Sequence, residues 1–573
     1  MSASPEPTSP AAIEAAVASL RALATPWARL PLVDKIGLLD ALRHRADAIS
    51  QRWVDAAIAA KGLAPDSPLV GEEWASGPWA VIGYCASLSR TLTAVASGKK
   101  DALLAGRVSR RPDGQTVVRT FPGDIYDSLL LNGYTAEVWM EPGLAPDELY
   151  GTMATFYDEP EPSGAVSLVL GAGNIASIAP LDVLYKLYAE GQVCILKLNP
   201  VNAYLGPVFE EMFHDFVVAG YLRFAYGGAD VGALLTRNPG IDEIHVTGSG
   251  QTFDAIVFGT GPDGAARKAA NTPEIGKRVT SELGGISPAI VIPGVWSEAD
   301  LRFQAEHVVT QKMHNGGFNC IATQVLLVAE GWPQRAAFLA AVEEVFRTLP
   351  DRPAYYPGAA ARLGHALEHC AGAHTFGAGN RALLTLPDAA GDHDAFKTEY
   401  FAGALAVVSL PETTAAGFFD AAVAFCNDRL AGTLGASVIV HPDTLNALGD
   451  GFERGLAALR YGTVGVNVWS GAGFLLPSAC WGAFPGHTRA DIQSGTGVVH
   501  NSFLFARPQR TVVRGPFAPF PRTLASGHLH LSPKPLWFVT NTTAATTARR
   551  VTHFAADPSP LGLPAIFASA LRG

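Results

Sequence analysis

Past the cluster Glu159-Pro160-Glu161-Pro162-Ser163-Gly164 the chain settles into a rhythm that few folds accept. Ala165-Val166-Ser167-Leu168-Val169-Leu170 is a short, largely apolar run, Pro180 to Ala189 reads as a helix, and Val193-Cys194-Ile195-Leu196-Lys197 is a second such run. Ala203 to Ala219 follows as a second helix, and Ile241-Asp242-Glu243-Ile244-His245-Val246 as a further strand. Short apolar strands, each separated from the next by a helix, are those of a parallel sheet with both faces covered. A second series opens near Pro288 with Ala289-Ile290-Val291-Ile292. It continues through a helix from Asp300 to Met313 and the strand Gln324-Val325-Leu326-Leu327-Val328, and runs to about Ala483.

The flanks read differently. The first ten residues or so are rich in Ser and Pro and are predicted to be loose. Ala11 to about Gly98 is helical, with apolar residues three and four apart in Leu38 to Ile58 and around Trp79 to Leu92. Between Asp101 and Met140, stretches such as Thr116-Val117-Val118-Arg119-Thr120 predict strands joined by turns. The C-terminal tail is Pro-rich and irregular, ending in a short helix near Pro564 to Leu571. With 573 residues the chain exceeds one ordinary core, so two or three domains are expected.

Composition excludes several classes of function. Apolar residues make up 48% and charged residues 16%, the balance of a well-buried globular protein. The net charge of −10, from 42 basic and 52 acidic residues without a long basic run, argues against a nucleic-acid partner. Six cysteines at irregular spacing fit a reducing compartment, in which a thiol stays available as a nucleophile. Met1-Ser2-Ala3-Ser4-Pro5-Glu6-Pro7 lacks the basic start and apolar segment of a secretory signal. No apolar run reaches the ~20 residues of a membrane span. The expectation is a soluble, cytoplasmic protein.

Three motifs carry possible chemistry on weak grounds. Gly171-Ala172-Gly173-Asn174-Ile175-Ala176 follows a strand and opens a helix, as a dinucleotide fingerprint does. The acidic residue such a fingerprint places at the end of the next strand is missing, and Lys197 stands there as a point charge for a hydroxyl or phosphate. His365-Ala366-Leu367-Glu368-His369 matches one metallopeptidase pattern, but no third ligand is evident, so the expectation is surface histidines and no metal. Asn541-Thr542-Thr543 is a glycosylation sequon that means nothing in a reducing compartment.

A more specific set comes in order along the chain. Cys320 closes Asn315-Gly316-Gly317-Phe318-Asn319-Cys320, Glu282 opens Glu282-Leu283-Gly284-Gly285, and Val246-Thr247-Gly248-Ser249 precedes both. A lone buried cysteine is usually inert packing and a lone loop glutamate usually solvated; the glycines around each let a backbone approach closely and raise their standing.

Together these segments resemble the aldehyde dehydrogenase superfamily, over roughly residues 20 to 500. The family has an asparagine and, 23 residues on, a lysine, matched by Asn174 and Lys197. Its Phe-Thr-Gly-Ser is Val246 to Ser249 here, its Glu-Leu-Gly-Gly is Glu282 to Gly285, and its nucleophile motif is Asn319-Cys320. Glu-x-Phe-Gly-Pro appears as Glu399-Tyr400-Phe401-Ala402-Gly403, and a late Val-Asn as Val466-Asn467. Departures are a longer segment between Ser249 and Glu282, an expanded stretch from 100 to 160, Phe318 where a glutamine is common, and Pro200 where many NAD-using members carry a glutamate. The usual Pro-Phe-Gly-Gly segment is replaced by Cys480-Trp481-Gly482-Ala483-Phe484-Pro485-Gly486, and a long tail follows it.

The resemblance implies an α/β fold, aldehyde dehydrogenase-like, with two Rossmann-like open-sheet domains and a small β oligomerisation element. Residues 1–140 and 163–283 would form the cofactor-binding domain, 284–485 the catalytic domain, 141–162 and 498–515 the oligomerisation strands, with His500 to Phe505 as one strand, and 516–573 a C-terminal extension. It implies oxidation of a small-molecule aldehyde to a carboxylic acid with NAD or NADP. Cys320 would be the nucleophile that forms a thiohemiacetal and then a thioester, Asn174 the oxyanion donor with the Cys320 N–H, and Glu282 the base for deacylation. Lys197, Thr247, Gly248, Ser249, Gly284, Glu399 and Phe401 would bind the cofactor. A homo-oligomer, dimer or tetramer, is implied, with no membrane span and no metal. Two alternatives are a CoA-acylating dehydrogenase or acyl reductase, favoured by Phe318 and the altered C-terminal segment, and an inactive structural or regulatory homologue. Glu282 favours hydrolysis over transfer to coenzyme A.

Overall fold

Seventeen strands form among the described residues, 5–525 and 530–573 of this computed structural model, and they divide between two sheets. β1 (Val108–Arg110), β2 (Thr116–Phe121) and β3 (Thr135–Met140) precede the Pro-Glu cluster. β4 (Val166–Leu170), β5 (Val193–Lys197), β6 (Leu222–Ala225), β7 (Glu243–Gly248) and β8 (Arg278–Leu283) make the first alternating series. β9 (Ser287–Val291), β10 (Thr323–Ala329), β11 (Ala373–Phe376), β12 (Arg381–Thr385), β13 (Gly403–Leu410), β14 (Gly435–Ile439) and β15 (Thr463–Val466) make the second. β16 (Gly495–Thr496) and β17 (Pro508–Arg514) come last.

The smaller sheet runs β16-β8-β7-β4-β5-β6, parallel throughout except for β16, which pairs antiparallel with β8. Helices Pro10–Ala28, Leu32–Lys61 and Ala80–Ala96 share its core, with Trp27, Trp53, Tyr188 and Phe209 among the packed residues. The first helix starts where the sequence dictates: the Ser9 hydroxyl accepts from the Ala12 N–H at 3.3 Å and Pro10 takes the first helical position. Its buried Ile13, Val17, Leu20 and Ala24 recur at helical spacing and form the face turned to the sheet. The helix expected over Ala203 to Ala219 is instead a 3-10 turn, Pro200–Leu205, followed by helices Gly206–Met212 and His214–Ala219. Pro207 has no N–H to continue the preceding turn, so a new helix starts there.

The larger sheet runs β1-β2-β3-β17-β15-β14-β9-β10-β13-β12-β11. The seven strands from β17 to β12 are mutually parallel and buried, and the antiparallel members sit at the two ends. Helix Glu298–Met313 packs beneath it, opened by a capping box between Ser297 and Asp300. Among the described residues no helix is long and apolar enough to cross a membrane.

Three expectations about chain layout need correcting. Residues 108–140 join the larger sheet, not the domain of the N-terminal helices. Residues 141–162 hold no strand, only 3-10 turns at Leu149–Thr152 and Thr155–Asp158. His500 to Phe505 is also not a strand: His500 and Leu504 adopt positive φ, +57° and +56°, and the Asn501 side chain closes a turn onto Phe505 N and O at 3.0 and 2.7 Å. The strand within 498–515 is β17, which is held between β15 and β3 of its own chain and so has neither edge free.

The tail holds a helix that its composition hides. Ala544–Ala556 buries Ala544, Thr547, Ala548, Val551, Thr552, Phe554 and Ala556, a face on which Ala and Thr outnumber the two larger apolar residues, Val551 and Phe554. It lies so close to Val70–Trp74 that a Cβ on Gly71 would sit 2.7 Å from the Ala544 carbonyl carbon. Helix Leu563–Ala570 packs against its outer side.

Candidate active site

β8 delivers Glu282 beside Thr247 of β7, and helix Glu298–Met313 ends just before the cysteine loop. The loop turns through three left-handed residues, Asn315 (φ +53°), Gly316 (+70°) and Gly317 (+85°). Glycine is needed at 317, where a Cβ would lie 2.8 Å from the Ala402 carbonyl oxygen. This path brings Cys320 to Glu282: the thiol donates to Oε1 at 3.3 Å.

Asn174 is buried beside them, and its Nδ2 donates to the Phe318 carbonyl at 3.0 Å. A primary amide carries two hydrogens, so one remains for another acceptor. Asn315, quoted in the cysteine motif but given no role by sequence reasoning, ties the site together. Its Nδ2 donates to Asn174 O at 3.1 Å and Phe318 O at 3.0 Å, and its Oδ1 accepts from Lys61 Nζ at 3.0 Å. Lys61 also pairs with Glu73 at 2.7 Å, both side chains at most 2% exposed, while Glu72 accepts from Asn315 N at 3.0 Å and pairs with Arg352 at 2.8 Å. Removing one member of a buried pair strands the other charge, at a cost of about 3–5 kcal/mol. Lys61→Met is therefore expected to lower the unfolding free energy by about that much, read by denaturant melts, and Lys61→Met/Glu73→Leu to restore most of it. A loss under ~1 kcal/mol for the single variant would rule out a desolvated pair.

The local field sets the proton positions. Burial pushes Glu282 up to about 7, the Asp182 carboxylate adds to the rise, and the Cys320 thiol and the Trp481 indole oppose it. Burial likewise pushes the Cys320 thiol well up, with Glu282 and Glu399 acting in the same direction. The thiol thus rests protonated next to a carboxylate able to take its proton near neutrality. Glu282 Oε2 and Trp481 Nε1 are both buried, and the indole N–H faces the carboxylate without reaching full hydrogen-bond geometry. Trp481 lies in the segment that departs from the family pattern, and that departure was its only signal in the sequence. Asp182 had none: it is a buried helix residue that accepts from Thr247 Oγ1 at 2.9 Å.

The residues assigned to a cofactor fall into three groups. Lys197, at the end of β5, is buried, and its desolvation lowers its pKa. Gly248 has open space around a would-be Cβ, and Ser249 caps helix Gly250–Val257 by accepting from Thr252 N at 3.2 Å. The Thr247 side chain is not with them; its hydroxyl points into the sheet, to Asp182. Across the site, a Cβ on Gly284 would collide with the Glu399 carboxylate. Burial pushes Glu399 up to about 8 against the pull of Lys312 and Arg362, and burial lowers Lys312 to about 7. Phe401 (φ +43°) packs on Tyr356 and Phe318, with ring centroids 5.0 and 5.9 Å away, and its carbonyl accepts from Arg362 Nε at 3.2 Å.

The His365 and His369 pair gains a neighbour that the sequence does not reveal: Asp394, 3.0 Å from His365 Nε2. The three groups are at the surface or partly buried, and His369 Nδ1 is engaged by the His365 carbonyl at 2.8 Å.

Part of the sequence and most of the fold are similar to known proteins. The model of the aldehyde dehydrogenase family matches residues 145–360, which contain Asn174, Glu282 and Cys320. Over that segment the chain is similar to the aldehyde dehydrogenase family. Among curated members, an N-succinylglutamate 5-semialdehyde dehydrogenase from Sphingopyxis alaskensis is 29% identical over 195 residues, 34% of this chain and 37% of that one. A coniferyl aldehyde dehydrogenase from a Pseudomonas species is 28% identical over 192 residues, 34% of this chain and 36% of that one. The chain thus matches little more than a third of the length of these relatives. Similarity of fold extends further. An aldehyde dehydrogenase of Mycobacterium tuberculosis complexed with NAD+ superposes with a TM-score of 0.58 at 19% identity, over 90% of this chain and 91% of that one. An NADP-dependent glyceraldehyde-3-phosphate dehydrogenase from Bacillus halodurans does so at 0.56 and 18%, over 88% and 91%. The aldehyde dehydrogenase-like α/β fold therefore extends well beyond the segment that carries the sequence match.

Proposed function

We propose that this protein oxidises an aldehyde to a carboxylic acid with NAD or NADP, through a thioester on Cys320. The observation that carries the reading is the 3.3 Å contact between the Cys320 thiol and a glutamate whose pKa burial raises to about 7. Glu282 takes the thiol proton as Sγ attacks the carbonyl carbon. The oxyanion that forms is held by the free hydrogen of the Asn174 amide and the Cys320 N–H, each donor worth about 3 kcal/mol. When bound, the nicotinamide supplies the hydride acceptor, and loss of hydride leaves the thioester. Glu282, once it has released the thiol proton to solvent, draws a proton from water as it attacks the acyl carbon, and Cys320 leaves as a thiolate that takes this proton back from Glu282. The sum is aldehyde, oxidised cofactor and water giving acid, reduced cofactor and a proton.

The residues present fit such a cofactor. Open space over Gly248 and the N-terminus of helix Gly250–Val257 suit a pyrophosphate. Lys197 and Glu399 suit the two riboses, Glu399 as a hydrogen-bond donor at neutral pH given its raised pKa. Gly284 leaves the Glu399 carboxylate its room, and Phe401 would flank the nicotinamide end. Thr247 contributes through the strand backbone, since its hydroxyl is committed to Asp182.

The test is a panel of aliphatic, aromatic and semialdehyde substrates with each cofactor and without coenzyme A, followed at the nicotinamide absorbance. Reduction of either cofactor is expected at once, with one acid formed per reduced cofactor. Reduction only after coenzyme A is added would replace hydrolysis with acyl transfer. No reduction under either condition would leave an inactive homologue.

A further inference from the structure

A cavity of about 590 Å³ lies outside the residues assigned so far, and more than a third of its wall belongs to the C-terminal extension. Leu130, Leu475 and Leu476 come from the body of the protein, and Trp537, Val551 and Phe554 from the tail. The tail is fixed in place: helix Ala544–Ala556 lies against Gly71, and the Phe554 ring meets Tyr126 edge to face at 5.2 Å. Its wall shares an apolar cluster with the nucleophile: Leu476 and Trp537 belong to the cluster against which both Leu475 and Cys320 pack. Two polar atoms on residues of its wall, Trp537 Nε1 and Thr547 Oγ1, are buried without a hydrogen-bond partner. Groups of this kind, in a mostly apolar cavity of this size, mark a ligand site.

We propose that the tail-walled cavity is the substrate chamber, and that it holds an aldehyde with an extended apolar body, whose own acceptor is met by the Trp537 and Thr547 groups when it has one. The proposal rests on the reading of Cys320 as the acyl-forming nucleophile. A cavity of several hundred Å³ takes a drug-sized molecule, far more than a short aldehyde fills. Specificity then comes from apolar contact along the chain, so kcat/KM for straight-chain aldehydes rises about threefold per added methylene until the chamber is full.

Gly83 offers a way to fill the chamber. It lines the cavity from helix Ala80–Ala96, and a Cβ there would be in ordinary contact with Pro477 Cγ at 3.7 Å, so a leucine enters the cavity and not the backbone. The experiment measures octanal binding to Cys320→Ala protein by calorimetry, with and without Gly83→Leu, and the octanal-to-acetaldehyde ratio of kcat/KM in protein with the native cysteine. Expected are saturable octanal binding, at least about tenfold weaker with Gly83→Leu, and a fall of at least about tenfold in the kinetic ratio, with the melting temperature of Gly83→Leu not lowered. Acetaldehyde turnover with no octanal binding would overturn the chamber and leave the oxidation standing. Octanal binding equally tight in both proteins would also overturn it. Octanal binding that Gly83→Leu weakens, with no aldehyde oxidised, would keep the chamber and remove the oxidation.

Discussion

Cys320→Ala is expected to leave less than about a thousandth of the wild-type rate of nicotinamide reduction, because the thioester route ends with its nucleophile. The protein should otherwise be intact: the side chain is small, only partly buried, and donates a single hydrogen bond. The other five cysteines are buried, so alkylation of the native protein should mark Cys320 alone, and protection of that thiol by bound aldehyde should parallel loss of turnover. Turnover that survives Cys320→Ala would remove the covalent mechanism. Residual hydride transfer without it would have to start from a hydrated aldehyde, which nothing in the site is arranged to deprotonate except Glu282.

Glu282→Gln separates the two halves of the reaction. Removing the base is expected to slow steady-state turnover about 10²- to 10⁴-fold. The loss should fall mostly on deacylation, so a burst of up to one reduced cofactor per chain precedes the slow phase, and intact-mass measurement finds the acyl group on Cys320. The pH profile gives an independent check. A carboxyl raised to about 7 is protonated, and useless as a base, below that pH; wild-type activity should therefore rise with pH through about 7. That acid limb should vanish in Glu282→Gln. A limb that stays in place would assign the titration to another group and strip Glu282 of the role.

The parts of this site that were legible in the sequence are those whose chemistry is local. Glycines around Glu282 and Cys320 imply close backbone approach, and Gly317 and Gly284 do lie where a side chain would strike Ala402 O and Glu399. Apolar runs of five or six residues gave strands near their observed places, because a strand buried on both faces has little choice of residues. What escaped was set by distance along the chain. Asp182, Lys312 and Lys61 look like ordinary helix residues until the fold places them under the site, and the contacts Lys61 to Asn315 and Asn174 to Phe318 span 254 and 144 residues. Trp481 was noticed only as a departure from a pattern, and Thr247 was given to the cofactor although its hydroxyl serves Asp182. The tail helix escaped for a different reason: Ala and Thr on its buried face carry little hydrophobic signal, and a close approach such as that at Gly71 requires small residues.

The place of β17 bears on how a ribosome-bound chain reaches this state. β3 is made early and β15 late, yet they become neighbours only when residues 508–514 slide between them. Until then each shows a bare row of amide groups at a sheet edge. An unpaired edge of that kind invites pairing with a neighbouring nascent chain. Recovery of soluble protein should therefore depend more on prompt arrival of residues 508–514 than on any single core contact. Shortening the chain before Pro508 should send it to aggregates even though Asn174, Glu282 and Cys320 are all present.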